Sequence, residues 1–505
     1  MTLATALTRA QFGLDAPLVR VEVHCGGGLP QFFIVGLPET AVRESRERVR
    51  AALAHGGFRF PDGRVTVNLA PADLPKEGGR YDLAVALGIL AASGQLRAAR
   101  LQGVEFYGEL SLSGELRPVR GLLAASAHAA RASRRIVVPL ANAVEARVAR
   151  GARVAGASTL AEVRNAFNGG AALGFAGGDA LPACASAVPD LADVRGQAAA
   201  RRALEIAAAG SHSLLLVGPP GAGKSMMAQR LPGLLPLLDE DHALECAMLH
   251  SLVRPLPPVA EWRRPPFRAP HHGASATAVI GGGGRLRPGE ITLAHRGVLF
   301  LDELPEYRRD VLEALREPLE TGTVSIARAA WHGQFPARFQ LVAAMNPCSC
   351  GYAGDSNGRC RCTQHAVQRY VARISGPLLD RIDMHVDVPR LDYAALAPAA
   401  AVTETSAAVA ARVLEARSRQ SARGRLNAFL DARRLGDACG LGLREHGLLD
   451  KAMQRLGLSA RACHRILRVA RTIADLAGLE RVGMAELSEA IGYRRLDREP
   501  QAEAG

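Results

Sequence analysis

The chain has 505 residues, 48% of them hydrophobic, enough for about three domains with true cores, although an aromatic share of 4% leaves those cores to Ala, Leu and Val. Its 62 Lys and Arg against 49 Asp and Glu give a net charge of +13, which fits an anionic partner such as nucleic acid. No apolar run reaches the roughly 18 residues of a membrane helix, and the start Met-Thr-Leu-Ala-Thr lacks the basic, then apolar pattern of a secretion signal. Five of the nine cysteines are scattered and four cluster, which excludes a disulfide framework and leads us to expect a cytoplasmic protein.

Val19–Val23 alternates with period two and reads as a strand, as does Gln31–Val35. Glu39–His55 is rich in helix formers and basic on one face. Val65–Leu69 is another strand, Tyr81–Ser93 a buried helix and Ile136–Val138 a short strand. From Phe167 to Val188 the chain turns to Gly, Ala, Pro and Ser and reads as a linker. Ser213–Val217 is an apolar run with the length of a buried strand, and Met226–Leu231 begins a helix. Gly297–Leu301 is a strand that ends in two acids, and Phe339–Met345 is a strand that ends at Asn346. Ala394–Thr405 is a second low-complexity bridge, followed by a helical tail. The expected divisions are a domain over 1–168, a linker over 169–189, a core over 190–392 and a helical domain over 393–505.

Between the strand at Ser213 and the helix at Met226 lies Gly218-Pro219-Pro220-Gly221-Ala222-Gly223-Lys224-Ser225, which fits the phosphate-loop pattern without a mismatch. Glycines there let backbone N–H groups close around phosphates, and the helix start adds a favourable dipole. Lys224 would reach the β- and γ-phosphates of ATP, and the Ser225 hydroxyl would ligate Mg²⁺. Asp302 would hold the same ion, Glu303 would polarise the attacking water, and Asn346 would position that water. Cys348-x-Cys350 and Cys360-x-Cys362 place four thiols on the loop after Asn346, either as a structural Zn²⁺ site or as free, redox-active thiols.

Longer motifs carry a family resemblance. Asp193-Val-Arg-Gly-Gln197, Phe267-Arg-Ala-Pro-His271-His272, Arg287-Pro-Gly-Glu290, Asn346-Pro-Cys-Ser-Cys-Gly351 and Ser375-Gly-Pro-Leu-Leu-Asp-Arg381-Ile-Asp383 resemble the ComM/YifB family of magnesium-chelatase-like AAA+ ATPases. The resemblance covers nearly the whole chain. It implies a homo-oligomer, a hexameric ring that hydrolyses ATP between subunits and acts on DNA as a branch-migration helicase in natural transformation. The alternative within the resemblance is a chelatase-like motor on a protein partner. It also implies that Arg381 reaches a neighbour's ATP as an arginine finger, with Arg373 as the alternative. Arg461 would act on ATP in cis, on a helix capped by Ser459, with Arg465 as the alternative. Val279-Ile-Gly-Gly-Gly-Gly-Arg285-Leu-Arg287 would project toward a pore, with Arg285 and Arg287 on DNA and Arg328 of the hairpin Thr323–Arg328 as a second contact. His271 and His272 receive no role.

The N-terminal stretch Pro75-Lys-Glu-Gly-Gly-Arg80, with Gly108–Gly114 and Gly121-Leu-Leu123, is similar to the protease domain of Lon. The nucleophilic serine and catalytic lysine of that family fall at Arg80 and Leu123, so the resemblance implies the fold without peptidase activity. The expected fold class is α/β: a Lon-protease-like α+β N-terminal domain, an AAA+ phosphate-loop αβα core and a C-terminal helical lid.

Overall fold

The structure, a computed structural model, describes residues 2–177, 188–253, 262–282, 287–328, 331–354, 358–391 and 403–494. The chain forms two units, Met1–Ala185 with Asp241–Trp262, and Ser186–Glu240 with Arg263–Gly505. Among the described residues no helix is long and apolar enough to cross a membrane.

The first unit holds strands β1 Thr2–Arg9, β2 Leu18–Gly26, β3 Gln31–Val35, β4 Arg64–Ala70, β5 Val104–Phe106, β6 Glu109–Leu110, β7 Leu116–Arg117, β8 Arg135–Pro139, β9 Arg153–Ala157 and β10 Ala176–Gly177. Eight of them form a mixed sheet in the order β10-β9-β8-β5-β1-β2-β4-β3, while β6 and β7 pair apart. Alternation along β8 divides two cores. Val137 faces one with the helix Asp82–Ala92, and Ile136 and Val138 face the other with the helix Leu122–Arg131.

That second core also takes Ala247 and Met248 from the helix Glu240–Ser251, and Gly121 N–H donates to Ser251 O at 3.1 Å. The sequence reading placed this stretch inside the core over 190–392. The structure gives Asp241–Trp262 to the first unit, because Ala247 and Met248 are buried among Leu122, Leu123 and Ile136, with Leu244 beside them. The expected linker over 169–189 is also shortened at its start. Leu173 and Phe175 pack on the first core, and β10 pairs with β9.

The second unit holds β11 Leu214–Val217, β12 Phe267–Arg268, β13 Gly281–Gly282, β14 Arg287–Pro288, β15 Val298–Leu301, β16 Thr323–Arg328, β17 Trp331–Pro336, β18 Gln340–Met345 and β19 Met384–Asp387. Its main sheet runs β12-β15-β18-β11-β19, every neighbouring pair parallel. Each residue of β11, β15 and β18 is buried, as a parallel sheet covered on both faces requires. The expected separation of core and helical tail is not seen in the packing. The helices Ala198–Gly210, Ser406–Ala422 and Ala460–Leu476 share one apolar cluster with β11 and β19. Ser459 caps the last of these, its Oγ accepting Ala462 N–H at 3.1 Å.

Candidate active site

Parallel strands aim their carboxyl ends the same way, and ligands of such sheets gather at those ends, where the winding reverses. Here β11 lies between β18 and β19, so the phosphate loop after Val217 adjoins the tip of β18, with the tip of β15 one strand further. Gly221 and Gly223 take φ of +77° and +87°, which the loop needs and a side chain would resist. Gly218 has no room for a Cβ, which would fall 2.1 Å from Val388 O.

The structure brings most of the expected residues together. Lys224 Nζ donates to Gly218 O at 2.6 Å, Pro219 O at 3.0 Å and Asn346 Oδ1 at 3.1 Å. Burial pulls the Lys224 ammonium below its usual range, against the opposing pull of Asp302 and Glu303. Ser225 Oγ donates to Asp302 Oδ2 at 2.5 Å, so hydroxyl and carboxylate already share one point in space. Glu303 N–H donates to Asp302 Oδ1 at 3.0 Å, and Glu303 itself sits at φ +53°, a left-handed geometry uncommon for a side-chain-bearing residue.

One contact was missed by sequence reasoning. His272 Nδ1 lies 3.1 Å from Glu303 Oε2. The cause is register: β12 pairs with β15 so that Arg268 faces Leu299, and His272 and Glu303 each lie four residues further on. The His272 ring leans on His271 at 4.1 Å, and Tyr307 Oη donates to Pro270 O at 2.5 Å, fixing the turn that carries both. The two histidines follow a two-residue strand, too short to announce its partner in the sequence.

The arginines meet acidic partners within the chain. Arg381 is largely buried, donating to Pro377 O at 2.7 Å and to Glu320 Oε2 within the same chain. Glu320 also meets Arg461, 3.7 Å away and well exposed, and the Arg381 hydrogen bond holds the Glu320 carboxyl below its usual range. Arg465 pairs with Asp383. Burial alone would raise Asp383, but Arg465 and His212 outweigh it and hold that carboxyl well below the usual range. Arg373 pairs with Glu306 at 2.9 Å. Arg287 is exposed at the start of β14, paired with Gly282 of β13, whereas Arg285 and the Arg328 side chain lie outside the described residues.

The sulfurs of Cys348, Cys350, Cys360 and Cys362 all lie within 4.8 Å of one another. Three separations are 3.3, 3.7 and 3.8 Å. Four sulfurs around Zn²⁺ would stand about 3.8 Å apart, given Zn–S bonds of about 2.3 Å, so the donor set fits a tetrahedral soft cation. Backbone N–H groups of Arg361 and Tyr352 pull the Cys350 thiol down to about 6, whereas at Cys360 the pull of the Cys362 N–H is outweighed by burial and the Cys350 and Cys348 sulfurs, which push that thiol up to about 11.

Family models agree with this arrangement along the chain. One described as magnesium chelatase, subunit ChlI, matches residues 190–396, a second, subunit ChlI of Mg-chelatase, matches 21–142, and a ChlI C-terminal model matches 403–494. The competence protein ComM of Haemophilus influenzae is 48% identical over 99% of this chain and 98% of its own. The chain belongs to the magnesium-chelatase-like AAA+ family, with the ComM and YifB proteins. YifB of Escherichia coli K12 is 46% identical over 99% of this chain and 98% of its own. A shorter match, 40% identical over 12% of this chain and 8% of the other, is to a DNA replication licensing factor MCM3 homolog of Zea mays. ATP and Mg²⁺ are the ligands that membership of the ComM/YifB group implies. In the first unit, Arg80 is buried, donating to Gln11 Oε1 at 3.0 Å, and Leu123 is fully buried.

Proposed function

We propose that this protein is an ATP-hydrolysing ring motor that moves DNA, driving branch migration during recombination of incoming DNA. The observation that carries the reading is the convergence of Lys224, Ser225, Asp302, Glu303 and Asn346 at the tips of three parallel strands. The names of two relatives, a competence protein and a DNA replication licensing factor, support DNA as the track, as does the net charge of +13.

On this reading Lys224 exchanges its carbonyl partners for the β- and γ-phosphates, and the backbone of Gly218–Gly223 wraps them. Ser225 and Asp302 hold Mg²⁺, which when bound neutralises charge developing on the phosphate oxygens. Glu303, oriented by His272, takes the water's proton, and Asn346 fixes that water. Arg381 leaves Glu320 to reach a neighbour's γ-phosphate, and Arg461 acts in cis. Arg285, Arg287 and Arg328 follow the DNA backbone, in a ring of six with no membrane involved. The Lon-like domain over 1–168 has no peptidase role, because neither Arg80 nor Leu123 offers a nucleophile or its activating amine.

The test is ATP-dependent branch migration on a synthetic Holliday junction, with Lys224→Ala as the control. Movement by the wild type alone is expected. ATP hydrolysis without DNA binding, stimulation or strand movement overturns the DNA reading. The magnesium chelatase match would then favour a motor acting on a protein partner.

A further inference from the structure

The four-cysteine loop does more than follow the nucleotide site in sequence. Cys348 lies two residues beyond Asn346, whose amide oxygen accepts from Lys224 at 3.1 Å. Cys348 and Cys350 then bracket a tight turn. Gly351 N–H donates to Cys348 O at 3.0 Å, and Ala353 N–H donates to Cys348 Sγ at 3.2 Å. Gly351 takes φ +87°, and a Cβ on it would fall 2.7 Å from Cδ and 3.2 Å from Cγ of Pro220. Pro220 is the third residue of the phosphate loop, so the turn that holds two of the sulfurs rests directly against the loop that would wrap the phosphates. Asn346 is also part of this contact, its Cγ 3.9 Å from the same Cβ position.

We propose that the four cysteines hold one Zn²⁺ ion, and that this ion sets the shape of the phosphate loop, so that nucleotide affinity depends on the metal. Four thiolates at the spacing described fit that ion. The metal ties Cys348 and Cys350 to Cys360 and Cys362. This fixes the turn at Gly351, and the turn fixes Pro220 on one side and Asn346 on the other. Without the ion only weak sulfur contacts join the two cysteine pairs, Cys348 to Cys360 at 3.8 Å, Cys350 to Cys360 at 3.7 Å and Ser349 Oγ to Cys362 at 3.4 Å, because these four thiols form no disulfide. The turn then relaxes, Pro220 loses its support, and Asn346 drifts from Lys224. The inference rests on the reading of Gly218–Ser225 as an ATP site, and its test separates the two.

The experiment uses the full-length protein. Zinc is released with a thiol reagent and counted with a metallochromic dye. Affinity for a fluorescent ATP analogue is measured for the wild type, chelator-stripped wild type, Cys362→Ser, Gly351→Ala and Lys224→Ala. One zinc per chain is expected. Stripping, or Cys362→Ser, should weaken nucleotide binding at least tenfold, and adding zinc back to the stripped wild type should restore it, which separates coupling from collapse. Gly351→Ala keeps all four sulfurs, so it should retain zinc and still bind nucleotide poorly. Absence of zinc from the wild type, or stripped protein that binds nucleotide as well as before, overturns the proposal. So does a Gly351→Ala variant with full zinc and unchanged affinity. A wild type that binds no more analogue than Lys224→Ala sinks the ATPase reading instead.

Discussion

Two networks of charge in the second unit are built to opposite specifications. In the helical tail, Asp475 is fully buried among Arg471, Arg423 and Asn427. Arg471 donates to it at 3.0 Å and also to Ala438 O at 3.1 Å and Glu480 O at 2.7 Å. At the strand tips, by contrast, Glu303 is about half exposed, its partner His272 about a third, and Lys224 leans on backbone carbonyls and an amide. A buried network cannot exchange partners without leaving a charge bare in low dielectric. A network open to solvent can. The first arrangement holds the tail on the sheet, and on the proposed reading the second leaves Lys224 and Glu303 free to accept phosphate and water.

The contrast makes predictions of decreasing size. Arg381 is itself largely buried, but the Glu320 carboxylate it holds is more than half exposed, which puts this pair on the exchangeable side. On the proposed reading Arg381→Ala lowers ATP turnover by about 10³-fold or more, as loss of an arginine finger does. Its melting temperature should barely move, since the Glu320 it leaves is more than half exposed. Normal turnover would return Arg381 to a purely structural ion pair.

Asp475→Ala should do the reverse. Removing it strands Arg471, and breaking such a buried pair costs about 3–5 kcal/mol, read as loss of denaturant midpoint. A mild effect would mean that the carbonyls of Ala438 and Glu480 suffice to hold Arg471, and the contrast would be false.

His385 in β19 tests the locked side by pH. Burial, then the neighbouring Arg494, pushes its imidazole down to about 3 from an ordinary 6.5. Its contribution is therefore complete above pH 6.5 and drains away as pH falls toward 3, at about 1.4 kcal/mol per pH unit. Between about pH 6.5 and 4.5 the wild type should lose roughly 2–3 kcal/mol of stability that His385→Gln keeps. Parallel pH profiles for the two proteins would show that His385 is not held neutral.

The smallest effect belongs to His272. His272→Ala should lower kcat about tenfold, near 1.4 kcal/mol, with KM unchanged, and His272→Asn should recover part of the loss. A change in KM alone would place His272 in nucleotide binding and remove it from the orientation of Glu303.

The sequence was most legible where a strand is short, wholly apolar and ends in a chemical signal. Ser213–Val217 before the glycines, Gly297–Leu301 before Asp302 and Phe339–Met345 before Asn346 all sit on observed strands. The Ser459 cap was legible for the same reason, since its cause is local. What depends on distant partners was not. Nothing near His272 names Glu303, and nothing near Arg381 names Glu320, because strand register and helix packing bring those residues together. Strand β1 went unread because its inward residues, Ala4 and Ala6, are too small to mark an alternation. The helix Glu240–Ser251 carries apolar residues, but an apolar stripe does not say which core it enters.

That helix makes the two units difficult to separate by cutting the gene. The backbone passes from one unit to the other three times, after Ala185, after Glu240 and after Trp262. A fragment ending at Ala185 would keep the slot built by Leu122 and Leu123 and lose the Ala247 and Met248 that fill it. A fragment starting at Ser186 would carry the same helix as an oily flap with nothing to cover it. Each half on its own should aggregate, and only a design that returns residues 241–262 to the first half should yield two soluble pieces.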